Sequence, residues 1–271
     1  MILLDRKQLL NGNSFILGVS GSGKSFTAKQ EISSIMLKEK DADIIIIDPE
    51  NEFAGLVKEL GGEVVEISST SKNHINAMDM NKFYGDDANP IILKSEFILS
   101  LCEQLMGKAL EPQQRSIIDR CTANVYKEYQ DRDYEGEPPT LKEFREELLK
   151  QDEKQAKDIA LAIELFSNGS LNTFAKQTNV NIHNRLVCYN ILELKKQLQP
   201  IAMLVILDSI FNRITANRKK GRNTYIYIDE IYLLFQYEYS ANFLFTLWKR
   251  VRKYRSLLYR NYTKCGRFVK K

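Results

Sequence analysis

Histidine, tryptophan and paired cysteines are scarce in this chain. Its 271 residues include two histidines, one tryptophan and four cysteines. The cysteines stand at positions 102, 121, 188 and 265, with no CxxC pair among them. That spacing, with so little histidine, excludes a structural zinc site of the Cys/His kind. It also fits a reducing compartment, the cytoplasm. Long hydrophobic runs are missing too. The longest are IIII at 44–47 and IAMLVIL at 201–207, well short of the roughly 18–20 residues of a membrane span. The opening MILLDRKQLL lacks the apolar core of a signal peptide. With 44% hydrophobic and 27% charged residues, the composition is that of a globular protein and excludes collagen, coiled coil or wholesale disorder. The net charge of +4 is local: residues 249–271 hold ten Lys/Arg and no acid, leaving 29 bases against 35 acids in the rest. A basic surface for nucleic acid is therefore not written into the main body of the chain.

Five short apolar runs read as strands: 14–19 (SFILGV), 43–48 (DIIIID), 63–68 (EVVEIS), 185–192 (RLVCYNIL) and 224–229 (TYIYID). Continuous apolar runs of this length suit strands buried on both faces of a parallel sheet. Helical spacing lies between most of them. Phe26, Ile32, Ile35 and Met36 mark a helix over 24–39, and Pro200 suits the first turn of one over 197–217. Residues 90–180 have little strand character. There Ile92, Phe97, Leu101 and Leu105 line one helical face, and Ile117, Ile118, Cys121 and Val125 another. Thr140 with Glu143 forms a capping box for a helix at 141–150. The pattern predicts an α/β core of mostly parallel sheet flanked by helices, carrying an inserted all-α subdomain.

Residues 18–25 read GVSGSGKS, which fits GxxxxGK[ST] between a strand and a helix, the context that a phosphate-binding P-loop (Walker A) requires. Gly18, Gly21 and Gly23 let the backbone curl and turn N–H groups toward phosphate oxygens. Ser20, Ser22 and Phe26 complete the candidate nucleotide-binding set, and the following helix adds its positive end. Lys24 would reach the β- and γ-phosphates of ATP, and Ser25 would ligate Mg2+.

Residues 225–230 (YIYIDE) end a strand in two adjacent carboxylates, a Walker B pattern. Asp229 would hold Mg2+ through water, and Glu230 would orient the attacking water. Two neighbouring carboxylates with separate tasks suit γ-phosphate hydrolysis. A strand ending in solvated acids is the alternative, and the upstream phosphate loop weighs against it. No NKxD guanine-reading motif occurs (residues 81–84 read NKFY), nor an LSGGQ-type signature. Asp48 ends the second predicted strand, at the carboxyl edge where ligands of open α/β sheets bind. It is either a third catalytic acid or the cap of a turn.

Together these segments resemble the motor ATPase of VirB-type conjugation and type IV secretion machines, a RecA-like P-loop NTPase related to DNA translocases. The likeness is carried by ILGVSGSGKSFTAKQEI (16–32), DIIIIDPENEFAGLVKELGGEVVEIS (43–68), HINAMDM (74–80), YIYIDEIYLLF (225–235) and LWKRVRKY (247–254). HINAMDM stands where the family has an Asn-Pro-hydrophobic-Asp turn, with Ala77 in place of the proline. The resemblance implies a core in two parts, 1–89 and 181–254, around a helical insertion at 90–180. It implies ATP and Mg2+ as ligands, a homo-oligomeric ring, other secretion components as partners, and a place at the cytoplasmic face of the membrane. Arg250, Arg252 and Lys253 fall in the family's basic segment, where such residues sense nucleotide or reach a neighbouring subunit; a solvated helix face is the alternative.

The likeness leaves out the family's large N-terminal domain, since the chain opens 17 residues before the phosphate loop. It also stops at Tyr254. The family continues with a strand resembling GLYTGITQN, whose Gln faces the γ-phosphate, whereas residues 255–271 read RSLLYRNYTKCGRFVKK. One choice of codons for that tail, read from the second nucleotide of the Arg255 codon, spells GLY, one further residue contributed by the second of the two leucines, and then TGITQNVEDL. The tail accordingly reads as frameshifted. The expected consequence is an empty slot in the sheet between the first and last core strands. Residues 256–263 have some strand propensity and could enter it, though Arg260 would fit a sheet centre poorly. On this reading nucleotide binding survives and efficient hydrolysis does not. A DNA translocase of the same superfamily and a remnant that only binds nucleotide are the competing readings.

Overall fold

A computed structural model of the chain describes residues 13–19, 21–68, 71–85, 89–194, 198–229, 242 and 245, together with the backbone of 256–262. Six strands form one sheet: β1 (Ser14–Leu17), β2 (Asp43–Asp48), β3 (Glu63–Glu66), β4 (Leu186–Asn190), β5 (Thr224–Ile228) and β6 (Ser256–Tyr262). Their order is β1-β6-β5-β2-β4-β3, and every neighbouring pair is parallel. The five predicted strands are all present, each within its predicted range. The sixth resolves the question of the slot: Ser256–Tyr262 lies between β1 and β5 and pairs with both. The backbone groups on the facing edges of β1 and β5 are thus satisfied by this segment.

The chain folds as two compact units. The first comprises Met1–Glu66, Asn181–Leu192 and Asn217–Lys271 and holds the sheet. All residues of β2, β4 and β5 are buried, as expected for strands covered on both faces. On one face Ile44, Ile46, Leu186, Cys188, Tyr225 and Tyr227 pack with Ala28, Ile32 and Ile35 of α1 (Lys24–Lys38) and Val57 of α2 (Ala54–Glu59). The α1 residues recur at i, i+4 and i+7, one stripe of the helix. Phe26, predicted to extend that stripe, instead faces out and is 71% exposed. The far end of α1 is tied down by Arg185, whose guanidinium donates to the carbonyls of Met36 (3.3 Å), Glu39 (2.7 Å) and Ala42 (3.3 Å). Met36 lies in the last turn, whose carbonyls a helix end leaves without helical partners, while the Glu39 carbonyl also accepts the Ala42 N–H at 3.1 Å.

The second unit comprises Ile67–Val180 and Glu193–Ala216. It is helical: α3 (Pro90–Met106), α4 (Pro112–Asp131), α5 (Leu141–Leu149), α6 (Lys154–Ala162), α7 (Glu164–Ser167) and most of α8 (Gln199–Lys219). The predicted capping box opens α5, with Thr140 N–H donating to Glu143 at 2.9 Å and Lys142 N–H to the Thr140 hydroxyl at 3.2 Å. The face of α3 differs from its prediction. Phe97 and Leu101 are buried, but Ile92 is 58% exposed while Lys94 and Ser95 are buried. Among the described residues, no helix is long and apolar enough to cross a membrane.

Candidate functional site

The first unit builds a tightly curled glycine loop at the carboxyl end of β1. Gly21 and Gly23 take φ of 77° and 86°, values that L side chains avoid. The Ser22 N–H donates to the Val19 carbonyl at 3.2 Å and closes the curl. A Cβ at Gly18 would stand 2.3 Å from Ser22 Oγ, so glycine there makes room for the loop to fold back. Gly23 caps α1, and both the N–H and the hydroxyl of Thr27 donate to its carbonyl, at 2.9 and 3.0 Å. No acidic residue occupies the first turn of α1. Its leading N–H groups and positive dipole end therefore meet no side-chain anion of their own helix. Gly21, Ser22 and Gly23 are exposed, and Lys24 and Ser25 are partly buried at the helix start. The Lys24 ammonium folds over the loop and donates to the Val19 carbonyl at 3.0 Å.

The register of the sheet places the acids. Asp48 is level with Asn190 on β4, and Asn190 is level with Glu66 on β3. Ile47 is level with Ile228, so the next residue along, Asp229, stands beside Asp48. The Asp229 N–H continues that ladder, donating to the Ile47 carbonyl at 3.0 Å. Side chains alternate along a strand. Asp48 follows Ile44 and Ile46, and Asp229 follows Tyr225 and Tyr227, the residues that pack on α1. Both acids therefore lie on the α1 side of the sheet. Adjacent strands are about 4.8 Å apart, so β1 and β5, with β6 between them, are separated by about 10 Å. That is a span a metal-bound triphosphate can bridge.

The two acids differ in their surroundings. Asp48 is fully buried, and its two oxygens accept the N–H groups of Glu52 (2.9 Å) and Phe53 (2.8 Å). The Cys188 thiol also donates to it, at 3.6 Å. Burial and the neighbouring carboxylate push the Cys188 thiol pKa far up, keeping it protonated as a donor. Asp48 thus holds the turn that leads into α2. Within that turn Asn51 has a φ of 58° and accepts a 2.9 Å hydrogen bond from Asn190. Of the two sequence readings of Asp48, its partners are those of the cap. Asp229 is buried at 6% exposure. Ser20 and Glu230, and the basic residues Arg250, Arg252 and Lys253, lie outside the described residues. Among the described residues no group of three or more His, Cys, Asp or Glu side chains could hold a metal ion by itself. Mg2+ in nucleotide sites needs none, being held by phosphate oxygens, water and one or two protein oxygens. Ser25 at the helix start and Asp229 at the strand end are a donor set of that kind.

Sequence reasoning missed a second polar cluster, in the helical unit. Lys94 is fully buried and donates to Asp208 at 2.6 Å and to the Asp79 carbonyl at 2.9 Å. Its ammonium also lies 4.5 Å from the Phe97 ring centroid and 5.4 Å from that of Tyr84. The Tyr84 hydroxyl donates to Asp208, and the Thr178 hydroxyl to Asp79. The Asn76 side chain accepts from Met78 N–H at 2.9 Å and donates to the Pro139 carbonyl at 2.9 Å. HINAMDM (74–80) was the one signal for this cluster. Its Asn and Asp are the two polar anchors, and Ala77 fills the proline position while buried at 1% exposure.

Comparison with known proteins agrees with this architecture. A family model described as the central domain of the helicase HerA matches residues 1–214. The match stops short of β5, so Asp229 rests on the sheet geometry. VirB4 of Thermoanaerobacter pseudethanolicus shares the fold with a TM-score of 0.79 and 23% identity, over 97% of this chain and 74% of that one. An uncharacterized protein of Aquifex aeolicus (strain VF5) is 31% identical over 52 residues, 19% of either chain. The chain thus matches about a fifth of that relative's length. The chain belongs to the HerA central-domain family.

Proposed function

We propose that this member of the HerA central-domain family is a motor ATPase domain of a conjugative or type IV secretion machine. The observation that carries the reading is the placement of the glycine-turned loop at β1 and of Asp229 at β5, on one face of the sheet and two strand positions apart. The likeness to a VirB4 fold over 97% of the chain supports the secretion context. In this account the N–H groups of the loop and of the first turn of α1 bind the phosphates of ATP. Lys24 releases the Val19 carbonyl and reaches the β- and γ-phosphates. Ser25 and Asp229 would hold Mg2+, which when bound neutralises charge on the phosphate oxygens. Glu230 accepts a proton from the attacking water and orients it. Asp48 positions the loop between β2 and α2. The chain acts in the cytoplasm as a ring of identical copies alongside other secretion components.

A second reading, translocation of DNA, is favoured by the name of the matching family, a helicase. The two part on DNA: a translocase binds it with affinity that falls steeply with salt, and a secretion motor need not. Phosphate release from ATP tests the shared chemistry. With the slot between β1 and β5 filled but no γ-phosphate-facing Gln in the tail, the wild-type chain is expected to bind ATP and turn it over slowly, and Glu230→Gln to bind ATP normally while losing that residual turnover. Equal turnover by the two would remove Glu230 from the mechanism.

A further inference from the structure

We infer that Phe26 is the seat of the nucleobase, and that the site therefore takes purine nucleoside triphosphates with little regard to which purine they carry. This rests on the nucleotide site proposed above.

The argument begins with a misplaced hydrophobe. Three apolar residues of α1, Ala28, Ile32 and Ile35, are buried in the sheet core, while Phe26 is 71% exposed. Phe26 sits two residues from Ala28, about 200° around the helix and so on the far side from the core. Among the described residues its ring has no aromatic or cationic partner. Helical side chains lean toward the helix N-terminus and cover the turn before their own Cα. The ring of Phe26 accordingly lies toward Gly23–Ser25, the end of the phosphate cradle. The same cradle exposes Val19 to 75%. A nucleoside tethered to phosphates held there and lying along the first turn of α1 would meet an uncovered aromatic face.

The chemistry of that surface determines selectivity. An aromatic ring stacks on any base, because every base has a π-face. One helical turn further along the same face is Gln30, also exposed. Its amide offers both a donor and an acceptor and can rotate to satisfy either purine edge. A stacking ring beside a rotatable amide rewards ring size, so purines exceed pyrimidines and adenine and guanine are nearly equal.

The test is a set of equilibrium affinities, in the presence of Mg2+, for ATP, GTP, CTP and inorganic tripolyphosphate. They are measured on the wild-type chain and on Phe26→Ala, Phe26→Trp and Lys24→Ala. Phe26 is exposed, so its variants are expected to melt with the wild type. ATP and GTP should bind within about threefold of each other, and Phe26→Ala should weaken both by about tenfold, the scale of one lost stacking contact. Tripolyphosphate should be unaffected by Phe26→Ala, and Phe26→Trp should restore the purine affinities. The inference is overturned if Phe26→Ala leaves ATP unchanged, if it weakens tripolyphosphate as much as ATP, or if ATP outbinds GTP by more than about tenfold. The underlying site fails separately: Lys24→Ala would then leave both ATP and tripolyphosphate at wild-type affinity, whatever Phe26 does.

Discussion

The phosphate loop of the sheet unit and the Lys94 cluster of the helical unit use the same residue types for opposite ends. Lys24 is partly exposed and donates to one backbone carbonyl, that of Val19, 3.0 Å away. Lys94 is fully buried between a carboxylate, a carbonyl and two aromatic rings. Around Lys24 the backbone is bent into positive φ at two glycines, and no acid answers the helix start. Around Lys94 each named polar side chain has a partner. An ammonium held at a surface of unanswered N–H groups is available to an anion from outside. An ammonium spent on Asp208 in a dry interior holds helices together. The difference separates binding machinery from scaffold within one chain.

The comparison is broken most forcefully at Lys94. Lys94→Met leaves the Asp208 carboxylate buried without its counter-ion, and unfolding stability is expected to fall by about 3–5 kcal/mol. Adding Asp208→Asn, which keeps an acceptor for Tyr84, should recover part of the loss. Urea unfolding of the two variants checks this; a loss below about 1 kcal/mol would move the pair from scaffold to ornament.

A smaller effect is expected in the loop. A Cβ at Gly23 meets nothing within 4 Å, so Gly23→Ala is opposed only by its φ of 86°. That strain is about 1–2 kcal/mol, enough to weaken ATP binding by roughly tenfold in calorimetric titration while global melting barely moves. Unchanged ATP affinity would show that the turn is not preorganised for phosphate.

The smallest effect concerns pH. Burial raises the Asp79 carboxyl above its ordinary 3.8, against lowering by the Thr178 hydroxyl and Lys94, with Asp208 adding to the rise. Burial likewise raises Asp208, against the lowering effects of Lys94 and Tyr84. For a carboxyl whose folded pKa is raised, the folded chain binds the proton more tightly than the unfolded chain. The resulting stabilisation is fully present below the unfolded value and is lost as pH rises through the folded one. Asp79→Asn keeps an acceptor for Thr178 and cannot ionise. Its stability relative to wild type should therefore improve as pH climbs above 3.8 and level off once pH has passed the folded value. Urea midpoints at a series of pH values read this directly, and a constant offset between the two proteins would contradict it.

Much of the sheet unit was legible in the sequence because its signals are local. IIIID and TYIYI are continuous apolar runs, and a strand buried on both faces needs no partner in sequence to announce itself. The phosphate loop is legible for the same reason, since its glycines act on their own backbone. The capping box of Thr140 and Glu143 spans three residues. The parts that escaped depend on distant partners or on topology. Lys94 and Asp208 are 114 residues apart, and nothing near Lys94 distinguishes it from a solvated lysine. The helical spacing that put Ile92 inside could not register that the buried position two residues on belongs to a charge. Asp48 was ambiguous because cap and catalyst are both short acids at a strand end, and only the N–H groups of Glu52 and Phe53 decide between them. Ser256–Tyr262 shows weak strand character in sequence. Its position follows from two unpaired edges, β1 and β5, that a parallel neighbour completes.

The central claim is that the loop at 18–25 is a nucleotide site whose charge is held by Lys24. Thermal unfolding of the wild-type chain and of Lys24→Ala, each titrated with Mg-ATP, tests it most directly. The two should melt together without nucleotide, since Lys24 supports little of the fold. With ATP at 100 times its Kd the wild type should gain about 2.7 kcal/mol of stability, while Lys24→Ala stays where it was. Equal shifts in both proteins, or no shift in either, would contradict the account.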